Sequence, residues 1–362
     1  MSDSFKILAI NPGSTSTKIS LFKDDEEVWS SKLKHSEEEL ADFDHIFDQY
    51  EFRKGVIKSQ LEEAGKSITD LDAVVGRGGL LYPIEGGTYQ VDDRLIEDLR
   101  KGVQGEHVSN LGAPIAREIA RAAGCPSFIV DPVVVDEMEP LARFSGHPDI
   151  PRKSILHALN QKAVARKAAS DLEKDYDDVN LIVVHLGGGI SVGAHCRGRI
   201  VDVNNALNGE GPFTPERSGG LPVGDLVDLC FSGTRSHKEI KRMIKGAGGI
   251  VAYLGTNDML KVEKEIEKGN ERFELVYSAM AYQVAKEVGA LSTVFKGDVD
   301  AIVLTGGIAY DRNFIKWVTE RVDFISRVMV YPGEKEMESL ALGALRVIRG
   351  DEEPKIYSPE EL

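Results

Sequence analysis

The chain of 362 residues is long enough for two domains with separate cores, and its 42% hydrophobic and 28% charged residues fit a globular protein. A net charge of -15, from 59 acidic against 44 basic residues, disfavours nucleic acid and anionic membrane as partners. Cys125, Cys196 and Cys230 are far apart and form no CxxC, which argues against a disulfide framework or structural zinc. The opening MSDSFKILAI lacks a basic, apolar leader and no apolar run reaches membrane length, so a cytoplasmic protein is expected.

In chain order, residues 5–10 and 18–23 read as a hairpin around the turn NPGSTST, and EEVWSSKLKHS as a further strand. The acidic, apolar-periodic stretch from about 36 to 65 reads as one helix ending near Gly65. LDAVVGRGG (71–79) is a buried strand entering a glycine-rich loop; helices are expected near 92–101 and 110–123. PSFIVD is another buried strand, ending at Asp131. Pro140, Gly146, Pro148 and Pro151 mark residues 140–153 as a linker, and a strong helix follows it. LIVVHLGGGISVGAHCRGRIVDV (181–203) then repeats the opening theme of strand, glycine turn and strand. A helical stretch from about 255 to 296, the strand DAIVLTGGIAYD, the strand SRVMVYPGE and a closing helix complete the chain. Two such hairpins half a chain apart suggest an internal duplication, and alternating strands and helices imply mixed α/β architecture.

The opening turn places Gly13, Ser14, Thr15, Ser16 and Thr17 at a tip rich in amides and hydroxyls, a concavity suited to an oxyanion, with Asn11 before it and Lys18 after. It is not a P-loop, since Lys18 is followed by Ile19, and no G-x-G-x-x-G occurs for a nicotinamide cofactor. Gly187, Gly188 and Gly189 allow a second close approach of backbone amides to phosphate, with His185 immediately before them. Arg77 lies among Gly76, Gly78 and Gly79, where a guanidinium can grip a carboxylate or phosphate; the alternative is a loop-capping arginine. Arg217 in FTPERSGG is a second anion clamp, or else a loop arginine paired with Glu216 or Glu210. No H-E-x-x-H spacing marks the histidines as zinc ligands.

With INPGSTSTK, FTPERSGGLPVGDL and LTGGIAYD placed, the whole chain resembles the acetate kinase family, within the superfamily of sugar kinases, heat-shock chaperones and actin, and its text is closest to the butyrate kinases. The resemblance implies two similar lobes of the actin-like, ribonuclease H-like type around an interdomain cleft. An N-terminal acid- and phosphate-binding domain would cover 1–152 and regain a C-terminal helix at about 346–362. A nucleotide-binding and oligomerisation domain would cover 153–345. The implied reaction is direct in-line transfer from ATP to butyrate, giving ADP and butyryl phosphate, with Mg2+ required. The chain would form a homo-oligomer, a dimer or a multiple of dimers. The alternatives are a kinase preferring acetate, propionate or isobutyrate, and an actin-like or chaperone-like ATPase.

The same resemblance implies roles for individual residues. Arg77, Asp131, His157, His185 and Arg217 would act in transfer, and His107 near the acid. Gly79, Leu156 and Pro215 would line an acyl pocket, enlarged because glycines replace the bulkier residues beside the family's arginine. Asn11, Gly13, Ser14, Ser16, Lys18 and Gly187 to Gly189 would surround the phosphates; Gly306, Gly307 and Ile308 would lie against adenosine, with Asp225, Asp311 or Asn313 near ribose or base. Asn11, Asp131 and Glu338 would hold magnesium through water, Glu336 being one register slip away from Glu338.

Overall fold

The structure, a computed structural model, describes residues 4–359. The chain opens with strands β1 (Lys6–Gly13), β2 (Ser16–Lys23) and β3 (Glu26–Lys34), then helices α1 (Glu37–Ala41) and α2 (Tyr50–Glu63). Strands β4 (Ala73–Arg77) and β5 (Thr88–Gln90), helices α3 (Asp93–Lys101) and α4 (Gly112–Ala123) and strand β6 (Ser127–Val130) follow. Next come α5 (Ala158–Asp171), β7 (Asn180–Leu186), β8 (Ile190–Cys196), β9 (Arg199–Val203), α6 (Val223–Phe231), α7 (His237–Ile244) and α8 (Ile250–Leu254). The chain ends with α9 (Met259–Glu267), α10 (Glu271–Ser292), β10 (Ala301–Gly306), α11 (Arg312–Val322), β11 (Val328–Pro332) and α12 (Glu336–Arg349).

Two compact units result: Met1–Asp136 with Lys335–Leu362, and Glu137–Glu334. The first holds a sheet ordered β3-β2-β1-β4-β6-β5 and the second a sheet ordered β11-β10-β7-β8-β9. Read from the hairpin, both carry the same plan: three antiparallel strands, then two parallel strands added beside the first of them. The duplication expected from the two glycine turns is therefore a duplication of topology, with β5 as an addition to the first sheet. Strand alternation explains how each sheet is covered on both faces. Ile182, Val184 and Leu186 of β7 face a core with Tyr277, Met280 and Val284 of α10, whereas Leu181 and Val183 face Ala165, Ala168 and Ala169 of α5. In the first unit Leu8 and Ile10 of β1 meet Ile57 of α2 and Ile115 and Ile119 of α4. Helix α12 packs on β1, β4 and β6. A Cβ at its Gly343 would lie 2.5 Å from Val130 Cγ2, so glycine there permits the approach.

Three sequence expectations change. The single helix over 36–65 is two: Ser36 and Glu39 form a reciprocal cap that starts α1, and Asp48 accepts the His45 amide to start a new helical segment. The helical stretch from 255 to 296 breaks at Gly269, φ +82°, before Asn270 caps α10. Residues 140–153 pack within the second unit, so the divisions fall at 136/137 and 334/335, not at 152/153 and 345/346. The reason is polar satisfaction: Arg152 bonds Asp202 Oδ1 at 2.9 Å, Ala142 O at 2.8 Å and Val203 O at 2.9 Å, while the Glu139 amide bonds Val201 O. The closing helix read at KEMESLALGALRVIRG is α12, Glu336–Arg349, so the whole helix, and not only about 346–362, belongs to the first unit. No helix among the described residues is long and apolar enough to cross a membrane.

Candidate active site

In the first unit, β1 and β2 stay paired up to Gly13 and Ser16, so the opening turn is a tight hairpin with Ser14 and Thr15 exposed at its tip. Lys18 is also exposed, directly across from Asn11. Beneath the turn lies a residue the sequence reading missed. Arg53 of α2 is 1% exposed and donates to Gly13 O at 2.9 Å, Ser14 O at 3.1 Å, Thr17 Oγ1 at 3.0 Å and Gln49 Oε1 at 2.9 Å. Burial lowers its pKa to about 10. With both turn carbonyls drawn inward, the turn is braced and a positive charge sits under it. The i, i+4 pair Gln49 and Arg53 was the only sequence trace of this arrangement.

Asn11 Nδ2 donates to Glu336 Oε2 at 2.6 Å, and Arg77 Nη1 makes a close ion pair with Glu336 Oε1. The structure thus brings Asn11 and Arg77 together around Glu336. Glu338, favoured from sequence, instead pairs with Lys335 on the helix surface at 2.9 Å. The helical period accounts for this, since residues two apart do not share a face. Asp131 is buried at φ +37°, with Oδ1 accepting the Gly87 amide at 2.7 Å and its own amide donating to Gly87 O. His107 caps a short turn, its Nδ1 accepting from Ser109 N at 3.2 Å and lying 2.7 Å from Ser109 Oγ.

The glycines beside Arg77 do not open a pocket. A Cβ on Gly78 would lie 2.6 Å from Pro132 Cβ, and one on Gly79 2.5 Å from Asn110 Oδ1 and 2.8 Å from Leu99 Cδ2. They let neighbouring chain pack against the loop, so the expected room for a longer acyl chain is corrected: that space is filled by protein.

In the second unit the glycine turn closes with Gly187 N donating to Gly189 O at 3.1 Å. Thr214, which sequence reasoning overlooked, ties the FTPERSGG loop to it: its hydroxyl donates to Gly188 O at 2.7 Å and accepts the Glu216 and Arg217 amides. A Cβ on Gly189 would fall 1.9 Å from Arg217 Nη1, so the guanidinium occupies the space that glycine leaves. Nη1 donates to Ala206 O at 2.8 Å, while the buried Nε has no acceptor, and burial lowers the Arg217 pKa. Leu156 and Pro215 are buried in this unit.

His157 and His185 stack with ring centroids 3.8 Å apart and planes 11° from parallel. Asn160 Nδ2 donates to the Glu334 carbonyl at 3.0 Å, which leaves Asn160 Oδ1 to accept from His185 Nδ1 at 2.7 Å. His185 therefore carries its proton on Nδ1 when neutral, and its Nε2, 3.7 Å from Glu334 Oε1, lies 3.1 Å from where a Gly187 Cβ would stand. At the end of β10, Gly306 at φ +93° is required, because a Cβ would meet Leu186 O at 2.3 Å. Gly307 and Ile308 open the following turn, Gly307 exposed and Ile308 6% exposed. Asp311 is engaged as the cap of α11, accepting the Asn313 and Phe314 amides at 2.8 and 3.3 Å; Asp225 is exposed in the first turn of α6. Among the described residues no three His, Cys, Asp or Glu side chains converge as metal ligands.

Residues 150–330 match the model of the acetokinase family. The chain is 56% identical over 353 residues to butyrate kinase 2 of Clostridium acetobutylicum, covering 98% of this chain and 99% of that protein. The crystal structure of Porphyromonas gingivalis acetate kinase is similar in fold, with TM-score 0.74 at 20% identity, covering 92% of this chain and 98% of that one. A propionate kinase from Francisella tularensis subsp. tularensis gives TM-score 0.69 at 19% identity, covering 94% of this chain and 98% of that one.

Proposed function

The chain belongs to the acetokinase family, and from that premise we propose that it phosphorylates butyrate with ATP. The observation that carries this reading is the 56% identity to a butyrate kinase across nearly the full length of both chains. A butyrate carboxylate oxygen attacks the terminal phosphorus of ATP, the bond from that phosphorus to the bridging oxygen breaks, and ADP leaves as butyryl phosphate forms. Butyrate is already ionised at neutral pH, so no strong general base is needed. The work is placement of two anions and neutralisation of the charge on the transferring group.

The chain's residues fit that work. Arg217, half-buried, with its Nε lacking an acceptor and its guanidinium pressed against Gly189, is suited to a phosphate oxygen. The amides of Gly187 to Gly189 serve the nucleotide phosphates, and Gly306 to Ile308 the adenosine. Arg53, below the Ser14 and Thr15 tip, adds positive potential to the first turn. Arg77 serves the acid or the transferring phosphoryl. A bound magnesium ion would neutralise phosphate charge. Glu336, with Asn11, suits its preference for one or two carboxylates plus phosphate oxygens and water, whereas Asp131 is held by Gly87.

We place the protein in the cytoplasm as a homo-oligomer; Phe231, Leu275 and Leu260 of the second unit, 87%, 70% and 67% exposed, favour self-association. Two extra methylenes distinguish butyrate from acetate, worth about 1.6 kcal/mol or roughly 15-fold at ~0.8 kcal/mol each, so related acids are expected to react more slowly. Trapping acyl phosphate with hydroxylamine across acetate, propionate, butyrate, isobutyrate and valerate tests the proposal. A maximum at butyrate supports it, a maximum at another acid reassigns the substrate, and ATP hydrolysis without hydroxamate places the chain among ATPases.

A further inference from the structure

Behind the stacked histidines, a chain of hydrogen bonds runs through the second unit, and one backbone carbonyl sets its direction. Gln161 Nε2 lies 3.0 Å from Ser191 O, which can only accept, so the amide nitrogen faces Ser191 and Oε1 faces the other way. Oε1 is 2.9 Å from His195 Nε2, which must therefore donate. His195 Nδ1 is then the acceptor for the Tyr176 hydroxyl at 2.7 Å. On the other side, Gln161 Nε2 also donates to Ser191 Oγ at 2.7 Å. Ser191 Oγ also accepts the His157 amide at 3.5 Å, and with both lone pairs engaged its hydroxyl proton goes to His157 Nδ1, 2.9 Å away. A neutral His157 then bears its proton on Nε2.

We propose that Gln161 and Ser191, oriented through His195 and Tyr176, are positioning residues that hold His157 as the neutral Nε2–H tautomer, a hydrogen-bond donor beside His185. The inference rests on the kinase reading only for the use made of that donor.

Three observations support it. Gln161, Ser191 and His195 are each 0% exposed, so water does not compete for these bonds. Glycine at position 193 is matched to the relay, since a Cβ there would lie 2.5 Å from Gln161 Oε1 and 3.3 Å from His195 Nε2. Burial, together with the Lys162 and Arg166 charges, holds the His195 pKa well below its ordinary value, which keeps it a one-proton link. The two stacked rings consequently differ: His185 has its neutral-state proton on Nδ1 and His157 on Nε2. Two imidazolium ions at this spacing would repel, and a neutral donor at His157 avoids that repulsion.

The test is long-range proton–nitrogen NMR of the histidine-labelled full chain, with His157 signals identified by loss in His157→Asn. The expected wild-type spectrum shows an unprotonated Nδ1 and a protonated Nε2. Gln161→Glu replaces the donor with an acceptor of the same shape, so the Ser191 hydroxyl turns towards it and the His157 proton moves to Nδ1. Ser191→Ala removes the donor to Nδ1 and is expected to mix the tautomers; Ser191→Thr keeps the hydroxyl and should restore the wild-type pattern. If Gln161→Glu does not fold, the two Ser191 variants decide the matter alone. In the butyrate assay, loss of such a support is expected to lower kcat about 10- to 100-fold with little change in KM for butyrate. A protonated Nδ1 in the wild type, or an unchanged His157 spectrum in the relay variants, overturns the proposal. A wild-type protein that makes no acyl phosphate would sink the kinase reading while leaving the tautomer result standing.

Discussion

Replacing Arg53 with methionine separates two effects that normally travel together. The substitution removes the donors to the Gly13 and Ser14 carbonyls, which are fixed by the hairpin and cannot turn away. At ~1–3 kcal/mol for each unsatisfied acceptor, that loss is about 2–6 kcal/mol. Thr17 Oγ1 keeps His35 Nε2 as a partner at 2.9 Å, and Gln49 Oε1, the fourth acceptor, sits on a side chain that can re-orient, so neither adds much. Against this stands the relief of a buried guanidinium whose pKa burial lowers from the usual arginine range to about 10. At ~1.4 kcal/mol per pKa unit this relief is about 3 kcal/mol. The two largely cancel, and the net destabilisation is expected to be no more than about 3 kcal/mol. Activity should respond differently, because the turn loses both its brace and its underlying charge: kcat/KM for ATP is expected to fall roughly 100-fold. Urea unfolding and steady-state hydroxamate kinetics on the same preparation measure both. Arg53→Lys restores the charge but not the fork, and should recover only part of the rate. Full recovery in Arg53→Lys, or wild-type kinetics in Arg53→Met, would refute the bracing argument.

Gly189→Ala adds one methyl group where Arg217 Nη1 now lies; the guanidinium can swing aside, so stability should change by about 1 kcal/mol, while turnover drops roughly 100-fold. Glu336→Gln should weaken the magnesium dependence of the rate and lower turnover, whereas Glu338→Gln on the exposed face should stay within about twofold of wild type; equal effects would contradict the assignment of Glu336. The buried His195 has a folded pKa below its unfolded value, so its contribution is fully present above about 6.5 and is lost as pH falls below that value. His35, lowered by burial and then by Arg53, acts with the same sign. Urea unfolding from pH 8 to 5 should therefore show stability declining below pH 6.5, with a shallower decline in His195→Gln.

The strands were legible because buried runs such as LIVVHL and AIVLTG open with four apolar residues and lead into glycines, and both hairpin turns announced themselves. Helix breaks were less legible. Asp48 capturing the His45 amide and Gly269 turning left-handed interrupt patterns whose apolar spacing continues across the break. The site divided in the same way. Gly189 and Arg217 were both readable singly, but only the fold shows one filling the space left by the other. Glycines beside Arg77 invite a reading of empty space, whereas Pro132, Asn110 and Leu99, distant in sequence, occupy it. Arg53 stood in an ordinary polar helix, YEFRKG, where nothing local distinguishes a buried guanidinium from a solvated one. Glu336 against Glu338 needed the helix phase, which its irregular start at Lys335, φ +44°, does not reveal.

The first unit leaves off at Asp136 and resumes only at Lys335, with about 200 residues of the second unit between. Vectorial synthesis therefore delivers the second unit's whole sequence before α12 exists, a wait of roughly 10–40 s at ~5–20 residues per second. Until then β1, β4 and β6 lack the helix that covers them, and Asn11 and Arg77 lack Glu336. A ribosome that stops anywhere short of this final segment releases a chain without Glu336, so truncated products are inert rather than partly active. A circular permutant that moves α12 ahead of β1 would remove the delay and let the first unit mature early.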